Sequence, residues 1–212
     1  MKVMLVGATG LVGSHVLRQL LEDPRCDAVV APTRRPVGIT DPALVNPVVD
    51  FAQLPAEAEW WAVDAVICAL GTTIKQAGSQ AAFARVDHDA PLAVARLARA
   101  QGAHAFALNS AMGADAGSRI FYNQVKGRLE QDLRALGYPS LTLVRPGLIG
   151  GERAERRTGE HLASLVLGVL GPVLPRAWRI NPAGIIAAAL VEAALAPTPG
   201  VTIVGSAELV ER

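Results

Sequence analysis

Tyr122-Asn123-Gln124-Val125-Lys126 sets a phenol and an ammonium four positions apart, which on a helix stacks them one turn apart on the same face. The chain holds two tyrosines and three lysines among 212 residues. Shuffling that composition would put a Lys four places after a Tyr in about 3% of sequences, so the spacing is informative. A phenol ionises at about pH 10, so proton transfer near neutrality calls for roughly 4 kcal/mol of preferential stabilisation of the phenolate, which a neighbouring ammonium is suited to supply. In an ordinary helix the same tyrosine would pack on the core while the lysine reached for water. Upstream, Ser110 follows Asn109 at the end of an apolar run. Its hydroxyl is placed to donate to a substrate carbonyl oxygen as charge develops there. Together the three side chains point to acid–base chemistry at a carbonyl or alcohol, with Tyr122, Lys126 and Ser110 as the catalytic candidates.

A second constellation is Gly7-Ala8-Thr9-Gly10-Leu11-Val12-Gly13, which separates the apolar run Lys2 to Val6 from apolar residues at helical spacing, Leu11 to Leu21. Glycines here let the backbone approach a pyrophosphate, and the helix start turns free N–H groups and its positive dipole end toward it. With 20 glycines in the chain, this G-x-x-G-x-x-G spacing would arise somewhere in about one chain in six, but at the first strand-to-helix junction in roughly one in a thousand. About 20 residues further on, an NAD site would offer Asp or Glu to the ribose hydroxyls. This chain instead reads Pro32-Thr33-Arg34-Arg35. Guanidinium forks pair bidentately with phosphate, which predicts NADP(H) in preference to NAD(H); otherwise the two arginines are a solvated loop pair.

These residues need a scaffold that gathers the ends of separated strands. Apolar or β-branched runs at Ala28 to Ala31, Val45 to Val49, Ala65 to Leu70, His104 to Leu108, Leu141 to Val144 and Val201 to Val204 predict strands, each ending at a loop. Helices are predicted over Ser79 to Gly102, capped or kinked where Asp89 precedes Ala90-Pro91, and over Arg119 to Leu136 before Gly137. Asn181-Pro182 reads as an N-cap and first turn for a last helix running to about Ala196. Such alternation implies α/β architecture: a Rossmann-like doubly wound parallel sheet with helices on both faces, in a single domain over residues 1–212. Between about residues 150 and 180 the pattern loosens, and a charged loop followed by an apolar helix at His161 to Leu170 predicts a small C-terminal lid.

On these motifs, together with Cys68-Ala69-Leu70-Gly71-Thr72-Thr73, Asn109-Ser110-Ala111-Met112-Gly113-Ala114-Asp115 and Leu143-Val144-Arg145-Pro146-Gly147, the chain resembles the short-chain dehydrogenase/reductase superfamily. Specifically, it resembles the atypical branch related to the Tat-interacting oxidoreductase proteins, over nearly its whole length. The resemblance implies that Gly7, Thr9, Gly10, Leu11 and Val12 surround the pyrophosphate, Arg34 and Arg35 face the 2′-phosphate, Asp50 and Phe51 border the adenine, and Leu70 and Gly71 line the ribose. It further implies that Lys126 binds the nicotinamide ribose, Pro146 and Gly147 border the nicotinamide, and Tyr122 with Ser110 acts on the substrate during direct hydride transfer. Where many members carry an asparagine, this chain has Asp87. The alternative within the same fold is a non-catalytic NADP(H) sensor or scaffold acting through a protein partner; such a protein has no chemical need for the phenol of Tyr122.

Composition narrows the classes further. Twenty basic residues against nineteen acidic give a net charge of +1, so no global field favours nucleic acid or an anionic membrane. The expected partner is a small carbonyl or alcohol, with the protein a monomer or a homodimer. Cys26 and Cys68 lack metal-type or redox-type spacing and read as structural thiols, giving a cytoplasmic expectation. The apolar stretch Leu162 to Leu174 is broken by glycines and a proline and falls short of the roughly 20 residues a membrane span needs. Asp87-His88-Asp89 are consecutive on a predicted helix and point apart, so no metal site is expected. Gly-x-Ser-x-Gly is absent, and with it the hydrolase elbow.

Overall fold

The structure, a computed structural model, describes residues 1–150 and 180–210. The chain runs β1 (Lys2–Val6), α1 (Leu11–Glu22), β2 (Ala28–Val30), β3 (Leu44–Val45), β4 (Ala65–Cys68), α2 (Ile74–Ala77), α3 (Gln80–Ala84), a π-helical turn (Arg85–Asp89), α4 (Ala90–Ala100), β5 (Ala105–Asn109), α5 (Phe121–Ala135), β6 (Ser140–Arg145), β7 (Ile149–Gly150), β8 (Asn181–Pro182), α6 (Ala183–Leu195) and β9 (Gly200–Gly205). Seven strands form one sheet in the order β3-β2-β1-β4-β5-β6-β9, every pair parallel. The predicted Rossmann-like α/β class is the observed one.

Alternation within the strands feeds two cores. Val3 and Leu5 of β1 pack with Val16, Leu17 and Leu20 of α1 and Ile186 and Leu190 of α6 on one face. Met4 and Val6 pack with Leu92 and Val94 of α4 and Leu129 and Leu133 of α5 on the other. Both faces are covered, so the central strands are continuously apolar, as Ala65–Cys68 shows with all four residues buried. Strand order reverses between β1 and β4, and the crevice at that switch point, beyond the carboxyl ends of the strands, is where such sheets bind ligands.

Several elements differ from the sequence expectation. The third strand is two residues, with one further bridge from Thr33 to Val48. Asn46-Pro47 interrupts the ladder, since proline has no N–H to give and the Asn46 side chain bonds elsewhere. The Ser79 to Gly102 segment is helical throughout, capped by Ser79 accepting the Ala82 N–H at 3.1 Å. Asp89 makes no side-chain cap; instead the helix widens, the Ala90 N–H reaching back five residues to Arg85, just before Pro91. Asn181-Pro182 is not an N-cap pair but the short strand β8, paired with β7, and Pro182 precedes α6. The predicted lid, except at its ends, lies outside the described residues.

Candidate active site

The switch-point crevice begins at Gly7, whose φ of +92° is accessible to few residues but glycine. A Cβ there would stand 2.6 Å from the Ala69 backbone in the loop after β4. Gly13 is tighter: a Cβ would come 1.9 Å from the Gly7 carbonyl oxygen, so the first turn of α1 can lie on the strand end only without a side chain. Gly10 caps α1 with no side chain of its own, and the first intrahelical bond is Ser14 N–H to Gly10 O at 2.9 Å. The amides of Leu11, Val12 and Gly13 precede it and face the helix's N-terminal end, the arrangement that receives a phosphate. Thr9 is exposed beside them.

The adenosine end is laid out along β2 and β3. Arg34 and Arg35 are exposed just past β2 and make no ion pair among the described residues. Their loop is pinned by Asn46, whose amide donates to Ala31 O at 2.5 Å and Thr33 Oγ1 at 2.8 Å and accepts the Val37 N–H at 3.0 Å. Thr33 in turn donates to Arg35 O at 2.7 Å. Asp50 is exposed and receives the Ala52 N–H, while Phe51 and Leu70 pack partly into the second core. Gly71 stands exposed over the side chains of Asp87 and Lys126: a Cβ there would lie 3.5 Å from Asp87 Oδ1 and 3.9 Å from Lys126 Nζ.

At the other end, Ser110, Tyr122, Pro146 and Gly147 meet around one cavity of about 320 Å³, with Met112, Asn123 and Leu148 completing much of its wall. Tyr122 is half-buried, its ring 5.6 Å from that of Phe83. Lys126, one turn on, is buried and turns to Asp87, Nζ to Oδ1 at 2.8 Å. Burial pushes the Lys126 ammonium down, but the Asp87 carboxylate, with smaller contributions from Tyr122 and Cys68, more than offsets this and holds its pKa above the usual lysine range. Breaking such a buried pair on one side strands a charge at a cost of about 3–5 kcal/mol. Beneath them, burial pushes the Cys68 thiol up to about 11, so it stays neutral, in keeping with a structural thiol.

Ser110 corrects one expectation. Its hydroxyl donates not into the cavity but to Glu130 Oε1 at 2.6 Å. Glu130, 1% exposed, is a carboxylate held by both Nε and Nη2 of Arg145, with Nε at 2.9 Å, and by Arg134 at 3.4 Å. Those hydrogen bonds keep the Arg145 guanidinium above its usual pKa. Glu130 has no motif of its own, but Tyr122, Lys126 and Glu130 recur every four residues along one face of α5, which is the signal that finds it. Asn181 serves not as a helix cap but as a tie between two loops. Fully buried, it accepts the Gly147 N–H at 2.8 Å and donates to Ser206 O at 3.0 Å, fixing the loop that carries Pro146 and Gly147. Among the described residues no His, Cys, Asp and Glu cluster is arranged to hold a metal, and no helix is long and apolar enough to cross a membrane.

Comparison with known proteins agrees with this fold. A family model described as the NAD binding domain of semialdehyde dehydrogenase matches residues 2–105. The protein fmp52, mitochondrial, of Aspergillus fumigatus is 34% identical, the match covering 98% of this chain and 92% of that protein. Protein HTATIP2 of Rattus norvegicus is 37% identical over 83% of this chain and 72% of its own length. Among solved structures, MoeE5 in complex with UDP-glucose and NAD has a TM-score of 0.74 at 17% identity, covering all of this chain and 80% of that one, a likeness of fold. With relatives this similar along most of both chains, and with the glycine turn and the seven-stranded parallel sheet in place, the chain belongs to the atypical branch of the short-chain dehydrogenase/reductase family, a family of NAD(P)-binding proteins with a Rossmann-like fold.

Proposed function

We propose that the protein is an NADP(H)-dependent oxidoreductase that moves a hydride between the cofactor and a small carbonyl or alcohol substrate held beside Tyr122. The residues fit such a cofactor: Gly7 and Gly13 let the turn and the start of α1 close onto the strand ends, which leaves the first amides of α1 at the crevice for a phosphate, and two arginines that make no ion pair among the described residues follow β2, where a 2′-phosphate would call for them. When bound, the cofactor supplies or takes the hydride. The observation that carries the reading is Tyr122 at the wall of the 320 Å³ cavity, which Pro146 and Gly147 also line, with a lysine one turn on.

In the reducing direction Tyr122 gives its phenolic proton to the substrate oxygen as the carbonyl carbon gains the hydride, and solvent returns the proton. Lys126 steadies the phenolate so formed. Ser110, its own proton committed to Glu130, presents oxygen lone pairs, which suit an alcohol O–H or the phenol itself. The cavity lies at the lower end of the volumes of ligand pockets, about 300–1,000 Å³, hence the small substrate. A calorimetric titration with NADPH and with NADH tests the reading. Micromolar NADPH binding with NADH at least about tenfold weaker is expected from the charge on the 2′-phosphate; absence of binding by either nucleotide overturns it.

A further inference from the structure

Asp87 faces Lys126 as Phe83 faces Tyr122. The helical segment from α3 into the π-turn and helix α5 lie side by side, and each presents two residues four apart: Phe83 and Asp87 on one, Tyr122 and Lys126 on the other. Asp87 is 1% exposed. One carboxylate oxygen takes the Lys126 ammonium at 2.8 Å and the other the Thr72 N–H at 2.8 Å, so the same side chain ties down the lysine and the loop beyond Gly71. The widened turn that carries it is of a kind that recurs at functional sites.

We propose that Asp87 is a positioning residue that fixes Lys126 beneath the Gly71 loop and offsets its charge, so that Tyr122 is held as a proton donor. A phenol beside a bare ammonium is a stronger acid than one beside a neutralised pair, because the phenolate loses the attraction that would favour it. A protonated phenol is the form that carbonyl reduction consumes, and the pair keeps Tyr122 in that form to higher pH than a bare ammonium would. Among the described residues the other ionisable groups close by are otherwise engaged or uncharged. Cys68 at the end of β4 stays a thiol. Glu130 on α5 bonds Ser110, Arg134 and Arg145. His88 turns to Asp89 and Asp132. The inference deepens the oxidoreductase reading and rests on it for the role of the proton.

Its test needs neither cofactor nor substrate, so its failure and the failure of NADPH binding are separate results. Of the two tyrosines, Tyr138 is buried, donates to Ala95 O, and is pushed by burial far above the usual phenol range. In an alkaline titration of the folded apoprotein followed by phenolate absorbance, the first rise therefore reports Tyr122, and Tyr122→Phe removes it. We expect Asp87→Asn to lower that midpoint by about one pH unit and Asp87→Glu, which keeps the charge, to leave it near the wild-type position. Lys126→Met should raise the midpoint, and adding Asp87→Asn to it should no longer lower it below the wild-type value. Should Asp87→Asn not fold, Asp87→Ser, which admits water to the vacated site, is read in the same way. An unchanged or raised midpoint in a folded, uncharged variant at position 87 overturns the proposal.

Discussion

Ser110 Oγ lies 2.6 Å from Glu130 Oε1, inside the protein, and a hydroxyl has one proton to give. Since Glu130 is a carboxylate held by two arginines, that proton is committed to it. What Ser110 offers the cavity is an acceptor. Under the proposed function this leaves Tyr122 as the donor to a substrate carbonyl from this wall and gives the two residues separate roles.

The separation has a kinetic signature. With an aldehyde, ketone or quinone substrate identified by screening, Tyr122→Phe should lower kcat by at least about a hundredfold, the loss of a general acid. Ser110→Ala, removing an orienting hydrogen bond, should lower kcat/KM by only about tenfold. Steady-state rates of the two variants decide the matter. Equal losses would return Ser110 to the role of carbonyl donor.

The glycine turn makes a sharper contrast between neighbours. A Cβ at Gly13 meets backbone at 1.9 Å, whereas at Gly10 the nearest atom is the Gly7 carbonyl oxygen at 3.3 Å and φ is an ordinary −81°. We expect Gly13→Ala to destabilise the fold by about 3 kcal/mol or more, because strand and helix must part. Gly10→Ala should keep most of its stability and lose nucleotide affinity instead. Urea melts alongside NADPH titrations read both effects, and a stable Gly13→Ala would show that the contact is easily relieved.

Much of this was legible in the sequence because a parallel sheet buried on both faces writes itself as apolar runs, and because Gly7 and Gly13 answer a steric demand local to one turn. Tyr122 and Lys126 were legible as a helical spacing. What could not be read was the company they keep. Asp87 and Glu130 on helices and Asn181 on a two-residue strand are polar residues whose partners lie 39, 20 and 34 positions away, at Lys126, Ser110 and Gly147. Asn181-Pro182 carried the local chemistry of a helix cap, and tertiary pairing with β7 overrode it. The π-turn was visible only as a proline in a helical stretch, which locates a disturbance without specifying its form.

Cofactor preference should follow the loop after β2. Replacing Arg34 and Arg35 together with alanine should weaken NADPH binding by about ten- to a hundredfold and leave NADH nearly unchanged, since only the 2′-phosphate loses its ion pairs. Asn46→Ala should give a milder form of the same selective loss. Its amide ties Ala31, Thr33 and Val37 around the two arginines, so its loss acts through their loop. Calorimetry with both nucleotides distinguishes this from a general loss of binding; equal weakening would count against the 2′-phosphate assignment, and unchanged binding would mean that the arginines are only a solvated pair.

Asn181 offers the last test, because it links the cavity wall to the sheet edge. Its carbonyl oxygen takes both the Gly147 N–H and the Ser206 O–H at 2.8 Å, and its amide reaches Ser206 O at 3.0 Å, the two bonds to Ser206 buried and that to Gly147 partly so. Alanine would leave those groups buried without that partner, a loss of about 2–3 kcal/mol in unfolding free energy. Because Gly147 belongs to the cavity wall beside Pro146, the variant should also raise KM for the carbonyl substrate while its kcat falls less. Asn181→Asp, which keeps the acceptor but turns a donor toward the Ser206 carbonyl into a second acceptor, should hold Gly147 and still lose stability. If Asn181→Ala lowered stability and left KM untouched, Asn181 would serve the fold alone, and the position of Gly147 would have to be set by the strand pairing of β7 with β8.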